Sequence, residues 1–354
     1  MRVVAAMSGG VDSSVAAALL AEAGHEVVGL SMQLYDQSAG PDTFGSCCSL
    51  DDLHDARRVA AHLGFPHYLV NFEHRFRETV MKNFVREYAA GRTPIPCVHC
   101  NADLKFATLV ERAQGLDGAA VATGHYARVE FDEDRRRYRL LRGVDRDKDQ
   151  SYFLFSLTQD QLSQALFPIG HLTKPEVRTI AGRLGLLVAD KPDSHEICFV
   201  PDGDTGAFVE RQLDMVPAPG TIVDSGGRSV GQHRGVHHFT VGQRRGLGLA
   251  TGTPMYVLRL DPADAQVVVG PKEELGRSNL TTSNVNWVEG SPPSEPQRLT
   301  ARIRHRHADA PATVVADGAT AAEVAFDEPQ LAVTPGQAVV FYDGEAVIGG
   351  GWID

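Results

Sequence analysis

The chain has 354 residues, of which 43% are hydrophobic and 22% are charged, and its formal net charge at pH 7 is −11. This composition excludes bulk disorder, and the length predicts two or three domains rather than one core. The acidic balance argues against indiscriminate nucleic-acid binding but is compatible with a local basic surface. No apolar run reaches the roughly 18 residues that span a bilayer, so we expect no membrane partner.

Strands and helices alternate in the first part of the chain, which predicts an α/β fold with a parallel sheet covered by helices on both faces. The predicted strands are 2–7, 25–34, 67–72 and 119–124. The predicted helices begin near Ser13, run from Ser49 to Leu63, reach Tyr88, and span 103–114, with a polar, proline-broken loop at 91–101. Because a strand and a turn occupy the first ten residues, we expect no signal peptide and a cytoplasmic protein.

The pattern of predicted secondary structure changes near residue 201, where turn-rich sequence replaces the alternation of strand and helix. Short strands and glycine turns dominate 221–270, and alternating residues at 301–307 and 338–342 predict an all-β tail. A set of short strands needs closure to avoid bare edges, so we expect this tail to form a small closed β-barrel. The predicted domains are 1–204, 205–272 and 273–354.

The first predicted strand runs directly into Ser8-Gly9-Gly10-Val11-Asp12-Ser13-Ser14 and then into an alanine-rich helix. The glycines allow a tight turn with exposed N–H groups, the serines add hydroxyl donors, and the helix N-terminus adds positive potential, all of which favour an anion. The loop lacks the Gly-Lys-Ser/Thr ending of a Walker A motif and instead resembles the SGGxDS loop of ATP pyrophosphatases, which hold pyrophosphate. Met32 and Gly124 also fall at strand ends, so we expect them at the same edge of the sheet.

Five cysteines in a chain without a secretory signal make a structural disulfide framework improbable and leave catalysis, redox exchange or metal binding open. Cys97 and Cys100 lie three residues apart in the predicted loop before a helix, where thiols tend to be more nucleophilic. Cys198 has apolar neighbours, so an inert core position is an equal alternative for it. Cys47 and Cys48 are adjacent, and the sequence assigns them no role.

Several motifs occur in one order along the chain: Ser8–Ser14, Cys100-Asn101 followed by Lys105-Phe106, Gly124-His125-Tyr126, Lys148–Phe153, Ile197-Cys198-Phe199, Gly242–Gly248 and Pro335-Gly336-Gln337. Together they resemble the tRNA-uridine 2-sulfurtransferases, also called tRNA 2-thiouridylases (the MnmA/TrmU family), over essentially the whole chain. The resemblance implies that 1–204 is an ATP-pyrophosphatase domain with a Rossmann-like, adenine nucleotide hydrolase-like fold. It also implies a central tRNA-contacting domain at 205–272, followed by the barrel.

The same resemblance implies ATP-dependent 2-thiolation of the wobble uridine of tRNA, giving 2-thiouridine, AMP and pyrophosphate. ATP adenylates the uridine 2-oxygen in this scheme, and Cys198 receives a persulfide from a sulfur-relay protein or a cysteine desulfurase. Cys100 is the implied nucleophile, which forms a disulfide with Cys198 as sulfur leaves for the base. ATP and Mg²⁺ are the expected cofactors, tRNA is the expected partner, and we expect a monomer. The implied nucleotide-binding residues are Ala6, Met7, Ser8, Gly9, Gly10, Val11, Asp12, Ser13, Met32 and Gly124.

A basic surface for tRNA is predicted in the β-rich part of the chain. Arg302, Arg304 and Arg306 alternate along a predicted strand, so we expect their guanidinium groups on one face, where each can bind phosphate. A solvated strand face is the alternative. With the contacts that the resemblance implies, the predicted tRNA-binding residues are Ile95, Pro96, Cys97, His125, Lys148, Asp149, Gln150, Gln243, Arg244, Arg302, Arg304, His305 and Gln337.

Cys97 departs from the family pattern, in which many members have an aspartate three residues before the first catalytic cysteine. Cys97, Cys100 and Cys198 could instead hold a 4Fe–4S cluster with one open iron, as in related thiolases. A Cys-x-x-Cys pair is equally typical of a zinc half-site or a redox pair. Two further interpretations are a synthetase of the same superfamily that accepts ammonia, and a non-catalytic RNA-binding or cluster-carrying protein.

Overall fold

The computed structural model describes residues 1–35, 50–116, 118–193, 197–200, 202–214 and 217–354. Its strands are β1 (Arg2–Ala6), β2 (Glu26–Gln33), β3 (His67–Asn71), β4 (Ala120–Ala122), β5 (Ala127–Asp132), β6 (Arg137–Arg142), β7 (Ala165–Leu166), β8 (Gly220–Asp224), β9 (Ser229–His233), β10 (Tyr256–Asp261), β11 (Gln266–Gly270), β12 (Gly276–Trp287), β13 (Gln297–Arg302), β14 (Ala310–Asp317), β15 (Ala321–Leu331), β16 (Ala338–Asp343) and β17 (Ala346–Ile353). Its helices are α1 (Val11–Glu22), α2 (Leu50–Leu63), α3 (Glu73–Phe76), α4 (Lys82–Ala89), α5 (Pro96–His99), α6 (Ala107–Gly115), α7 (Gln159–Ser163), α8 (Lys174–Arg183) and α9 (Thr205–Gln212). π-Helical segments span Arg77–Met81 and Cys100–Phe106, and 3₁₀ turns span Ser151–Phe153, Val236–His238 and Lys272–Leu275.

The N-terminal part forms a parallel sheet in the order β3-β2-β1-β4-β7, as the alternation of strands and helices predicted. The chain moves outward from β1 to β2 and β3, then returns to place β4 on the other side of β1. The strand order therefore reverses between β1 and β4, and in such sheets ligands bind at this switch point, beyond the carboxyl ends of the strands. The Ser8–Ser14 loop and Gly124 both follow these two strands.

Successive residues of β1 pack on opposite faces of this sheet because side chains alternate along a strand. Val3 is fully buried in a cluster with Val15 of α1 and Val177 of α8. Val4 is equally buried in a second cluster, with Phe84 of α4 and Leu109 of α6. The prediction of helices on both faces is therefore confirmed.

Two further sheets follow. Residues of the central part form a four-stranded sheet in the order β10-β11-β8-β9 around its own apolar cluster, which includes Ile222 and Val257. The C-terminal strands run in the order β12-β15-β14-β13-β16-β17, and β12 also pairs with β17. That last pairing closes the predicted barrel, so neither terminal strand is left with a bare edge.

The β5–β6 hairpin joins the N-terminal part to the barrel, a connection that the sequence did not reveal. It follows β4 directly, yet β6 pairs with β17 through Leu141–Ala346 and Leu140–Val347. Strand pairing therefore continues from β17 of the barrel through β6 to β5, which follows β4 at the switch point.

The structure corrects two sequence predictions. Helix begins at Pro96 rather than after residue 101, because proline is well tolerated at the first helical position, where its missing N–H breaks no bond. The predicted strand at 301–307 ends at Arg302, because β13 pairs with β14 through Ala301–Ala310 and the chain must turn back in between. The expectation that Arg302, Arg304 and Arg306 share one strand face is therefore wrong.

Among the described residues, no helix combines the length and apolarity needed to cross a membrane. Cys47, Cys48 and the predicted cap Ser49 lie outside the described residues, as do residues 194–196 before Cys198.

Candidate active site

The phosphate-loop candidate joins β1 to α1 with a backbone that only glycine suits at one point. Gly9 has φ +76°, and a Cβ placed there would lie 2.0 Å from the backbone oxygen of Asp52. Gly10 is the N-cap residue of α1 and has an extended backbone. As a glycine it offers the first turn of the helix no side-chain hydrogen bond. The first N–H groups of α1 are thus directed at the loop, where the positive end of the helix favours an anion.

Two serine hydroxyls complete this loop. The Ser8 backbone N–H donates to Ser13 Oγ at 3.1 Å, and the two Oγ atoms lie 3.2 Å apart. Ser8 is exposed, whereas Ser13 is buried beneath it. The pair presents hydroxyl groups beside the N-terminus of α1, which suits the oxygen atoms of a phosphate.

Gly124 lies against the same loop, as the strand-end argument predicted. A Cβ at this position would come within 2.5 Å of the Ser13 backbone nitrogen and 2.8 Å of its Cα. The end of β4 therefore contacts the first turn of α1 backbone to backbone. Ala6 and Met7 lead out of β1, and Met32 is buried near the end of β2. Nucleotide contacts of all these residues stay predictions.

Asp12 is held by residues that the sequence analysis did not single out. Lys174 Nζ donates to both Asp12 carboxylate oxygens at 2.8 Å, and the Tyr126 hydroxyl donates to Oδ1 at 2.7 Å. Burial and the neighbouring Asp12 charge raise the pKa of Tyr126 far above its ordinary value, so this phenol stays a donor. In this arrangement Lys174 and Tyr126 fix the orientation of the Asp12 carboxylate beside the loop.

The ammonium groups of Lys148, Lys174 and Lys191 lie beside the loop and are called the lysine line below. Lys174 is the member that contacts Asp12. It also pairs with Asp193 Oδ1 at 2.7 Å, and Lys148 pairs with Asp193 Oδ2 at 2.7 Å. Partial burial alone would raise the pKa of Asp193, but hydrogen bonds from Lys148 and Lys174 outweigh it and lower that pKa to about 2. Asp193 is therefore ionised at neutral pH and holds two lysines near the switch point.

Lys191 completes the line from the other side. Its Nζ donates to Asp52 Oδ1 at 2.6 Å, to Asp55 Oδ2 at 2.7 Å and to the Gly9 carbonyl oxygen at 3.1 Å. Lys174 and Lys191 are 162 and 182 residues from their partners in the loop, so no local motif signals them.

The three described cysteines differ in exposure, and two of them contact one apolar cluster. Cys97 is exposed on α5, Cys100 is buried at the start of the following π-helical segment, and Cys198 is half-buried. Cys100 belongs to the cluster against which Cys198 packs. The Tyr35 hydroxyl donates to the Cys198 carbonyl oxygen at 2.7 Å, which ties the Cys198 segment to the chain just beyond β2.

A cleft of about 500 Å³ is lined by Tyr35 and by Phe199, the residue that follows Cys198. Phe199 packs edge-on against Phe76 and Phe84, with ring centroids 5.5 and 5.1 Å away. The residue after Cys198 is therefore an anchor in the core, while the carboxyl edge of β2 leaves open space beside the thiol segment.

The barrel supports the helix that carries Cys97 and Cys100. The Thr93 backbone N–H donates to the Pro335 carbonyl oxygen at 2.8 Å, and Gln337 Nε2 donates to the Thr93 carbonyl oxygen at 2.9 Å. The His99 ring stacks on Trp352 with centroids 4.7 Å apart and planes 8° apart. Contacts on both sides of the cysteine helix thus come from the C-terminal part of the chain.

His125 is a neutral residue at the sheet edge. Burial, aided by the charge of Lys105, lowers its pKa to about 3, and its Nδ1 lies 2.7 Å from Thr123 Oγ1. Its ring meets Phe167 edge-on with centroids 6.0 Å apart. A neutral imidazole in this position can position or stack on a base, but it does not attract phosphate by charge.

Two of the predicted tRNA contacts, Asp149 and Arg302, take part in an internal charge network, and their contact with tRNA stays a prediction. Asp149 is 2% exposed, and its carboxylate lies 3.5 Å from Arg142 and 3.6 Å from Arg302. The Arg302 Nε donates to Asp309 at 2.7 Å, and its guanidinium lies over the Tyr342 ring. Both charges serve an internal network because each compensates the desolvation of the other.

The other predicted tRNA contacts have varied surroundings, and their role stays a prediction. Arg244 and Cys97 are exposed, Ile95 and Pro96 are buried, and Lys148 is paired with Asp193. The remaining ones make internal hydrogen bonds: Gln150 to the Tyr126 N–H, Gln243 to the Thr240 N–H, Arg304 to the Leu331 carbonyl, His305 to the Asp149 carbonyl, and Gln337 as described.

Comparisons with known proteins place this site in a family. Family models match the chain as a tRNA methyl transferase HUP domain over residues 1–202, a tRNA methyl transferase PRC-barrel domain over 206–271 and an aminomethyltransferase beta-barrel domain over 277–353. A tRNA-specific 2-thiouridylase MnmA of Solibacter usitatus is 53% identical over 366 residues, covering 99% of this chain and 99% of that protein. The chain belongs to the tRNA-specific 2-thiouridylase family. Another member of this 2-thiouridylase family, from Geotalea uraniireducens, is 52% identical over 357 residues, covering 100% of this chain and 95% of its own.

Membership in the 2-thiouridylase family confirms the resemblance inferred from the serial motifs. Among solved structures, a 4-thiouridine synthetase–RNA complex with bound ATP has a TM-score of 0.36 and 16% identity, covering 60% of this chain and 50% of that one. That likeness is too slight to indicate a shared function.

Proposed function

We propose that this protein is an ATP-dependent sulfurtransferase that converts the wobble uridine of tRNA to 2-thiouridine, with release of AMP and pyrophosphate. The observation that carries the proposal is the full-length similarity to tRNA-specific 2-thiouridylases at about 50% identity. It is supported by a loop suited to phosphate and by thiols near the same carboxyl edge of the parallel sheet. In the proposed reaction the loop serves to activate the base and the thiols serve to deliver sulfur.

In the first step we propose, the uridine 2-oxygen attacks the α-phosphorus of ATP and pyrophosphate leaves. The N–H groups of the Ser8–Ser13 loop and the N-terminus of α1 would hold the departing anion. Lys174 and Lys191 supply positive charge beside the loop that can shift from Asp12 and Asp52 to phosphate oxygens. Preorganised donors of this kind stabilise charge as it develops, which is the largest source of rate in many enzymes.

In the second step, sulfur replaces AMP. Cys198 carries a persulfide delivered by a sulfur-relay protein or a cysteine desulfurase, and its terminal sulfur attacks C2 of the activated base as AMP leaves. The Cys100 thiolate then attacks the Cys198 sulfur, the bond between the two persulfide sulfurs breaks, and 2-thiouridine is released. The two cysteines are oxidised to a disulfide, and the transferred sulfur is reduced, so an external dithiol must restore the enzyme.

The decisive experiment is a sulfur-transfer assay with ATP, unmodified tRNA and a persulfide donor. We expect wild-type protein to form 2-thiouridine, and both Cys100→Ser and Cys198→Ser to lose at least a thousandfold in rate. Thiouridine formation that persists in either serine variant would rule out the proposed sulfur route. Absence of thiouridine with the wild type under any donor would refute the function itself.

Cys97→Ser separates the two sulfur routes, because Cys97 is a ligand of the proposed cluster but takes no part in the persulfide–disulfide exchange. The persulfide–disulfide route predicts that this variant keeps its rate of sulfur transfer at saturating tRNA, where a weakened tRNA contact of Cys97 does not limit the rate. A 4Fe–4S cluster held by Cys97, Cys100 and Cys198 predicts instead that it loses both activity and iron. Iron and acid-labile sulfide measured on anaerobically purified protein therefore separate the two mechanisms.

A further inference from the structure

A cluster of one carboxylate and two imidazoles lies outside the residues assigned above. Glu210 is on α9, and His237 and His238 are on the 3₁₀ turn that follows β9. Glu210 Oε1 accepts hydrogen bonds from His237 Nε2 at 3.3 Å and from His238 Nε2 at 2.9 Å. One ligand atom from each of the three residues lies within 4.8 Å of the other two.

Two glycines leave the space that the imidazole rings occupy. A Cβ on Gly206 would lie 2.0 Å from His238 Nδ1, and a Cβ on Gly235 would lie 2.3 Å from His237 Cε1. His237 is also fully buried, so its ring has no freedom to turn toward solvent. Both rings are therefore seated with Nε2 directed at Glu210 by backbone that approaches more closely than any other residue type would allow.

Two of the three donor separations are close to the edges of a tetrahedral metal centre. Bonds of about 2.0–2.1 Å from zinc to nitrogen and oxygen give edges of roughly 3.3 Å between neighbouring ligand atoms. Glu210 Oε1 lies 2.9 Å from His238 Nε2 and 3.3 Å from His237 Nε2, and the ligand atoms of the two histidines lie within 4.8 Å of each other, so side-chain shifts can bring all three onto one cation. Two imidazoles and one carboxylate are also a donor set typical of zinc, whereas Ca²⁺ and Mg²⁺ prefer oxygen alone.

We propose that Glu210, His237 and His238 bind a divalent transition-metal ion, for which Zn²⁺ is the best fit. Coordination by the two Nε2 atoms and Glu210 oxygen replaces the two N–H···O hydrogen bonds, and the proton on each Nε2 moves to Nδ1 or to solvent. Three protein ligands leave the fourth tetrahedral position to water. The ion ties α9 to the 3₁₀ turn after β9 within the central part of the chain.

Cobalt titration of the untagged full-length protein, after removal of metal with EDTA, tests this proposal. We expect one Co²⁺ per chain with visible absorption bands of a four-coordinate site, displaced by an equivalent of Zn²⁺. Glu210→Gln and His238→Gln should each weaken binding at least tenfold. His74→Gln is the matched control, because it removes an exposed imidazole on α3 and should leave the affinity unchanged.

The cysteines are the competing ligands, and the same spectra separate them. Co²⁺ bound by thiolate gives an intense near-ultraviolet charge-transfer band, which a nitrogen and oxygen site lacks. A spectrum that carries the thiolate band and is unchanged in Glu210→Gln would overturn the proposal, as would equal affinities in wild type and both site variants. Zn²⁺ should also raise the unfolding temperature of the wild type but not of Glu210→Gln, since an ion that binds only the folded protein stabilises it.

Discussion

Gly9 and Gly124 shape the phosphate loop through the side chains they lack. Gly9 turns the chain with a positive φ against the backbone of Asp52, and Gly124 brings β4 against the first turn of α1. The N–H groups, the serine hydroxyls and Lys191 can converge only because these backbones touch. The geometry of the site therefore depends on the lack of a Cβ at Gly9 and Gly124 as much as on the hydroxyl and ammonium groups.

Replacing Gly124 with alanine is expected to push β4 away from the loop. The added Cβ would meet backbone atoms of Asp12 and Ser13 at 2.5–2.8 Å, and backbone cannot move aside as a flexible side chain can. We predict at least a tenfold weaker affinity for ATP, about 1.4 kcal/mol, measured by equilibrium binding. Gly182→Ala is the control, because no atom lies within 4 Å of its added Cβ. Equal ATP affinity in the two variants would contradict the prediction.

Asp193 is expected to contribute to acid sensitivity. Its pKa is lowered from 3.8 to about 2, so its stabilising effect is fully present above pH 4 and is lost as the pH falls toward 2. We predict that Asp193→Asn is less stable than wild type at pH 6 and that the difference shrinks between pH 4 and pH 2. Urea unfolding across this range measures it, and a constant difference would argue against ionised Asp193 as the cause.

The β5–β6 hairpin is the element that ties the catalytic sheet to the barrel. Its tip at 133–136 is an exposed turn, but its base is buried beneath a charge network. Arg142 is 2% exposed, pairs with Asp149 and Asp309, and lies 3.4 Å above the Tyr342 ring. The same network holds the loop that begins at Lys148, so the barrel and the lysine line are mechanically connected.

Removal of Arg142 should therefore destabilise the fold strongly. Arg142→Met leaves the buried Asp149 carboxylate with Arg302 alone, and breaking one partner of a buried ion pair costs about 3–5 kcal/mol. Chemical denaturation checks the loss. Arg298→Met removes an exposed arginine paired with Asp327 in the same barrel and should show no measurable change. A similar loss of stability in both variants would indicate that the buried network contributes no more than an exposed ion pair.

At the scale of the whole molecule, an acidic protein is proposed to bind an acidic polymer. With a net charge of −11, binding must depend on local cations rather than on the overall field. Many arginines are already engaged in internal pairs, including Arg142 and Arg302. Arg244, exposed in the Gly242–Gly248 loop, is better suited to contact tRNA than the arginines of β13.

Salt dependence can count such contacts. If Arg244 neutralises one phosphate, Arg244→Ala should lower the slope of log K against log salt for tRNA binding by about 1. Arg298→Ala makes the same change in net charge at an exposed position outside the predicted contacts and should leave the slope unchanged. An unchanged slope in Arg244→Ala would remove this residue from the proposed interface.

Short-range patterns in the sequence determined much of this protein. Alternation of strands and helices predicted the parallel sheet, glycines and serines after β1 predicted the phosphate loop, and the order of motifs indicated the family. The phosphate-loop signal lies within about ten residues, where backbone preference and the chemistry of neighbouring side chains act directly, and the other two are series of such local signals along the chain. Helix initiation at Pro96 and the early end of β13 were mispredicted, because proline at a helix start resembles a loop and strand pairing is not local.

Only the tertiary structure decided which charges meet. Lys174 reaches Asp12 across 162 residues, β6 pairs with β17 across some 200, and two histidines converge on Glu210 from another part of the chain. Asp149 and Arg302, which were predicted from the sequence to contact tRNA, form an ion pair with each other inside the molecule. Ion pairs depend on distance and desolvation in three dimensions, and these are set by how sheets and helices pack rather than by adjacent residues.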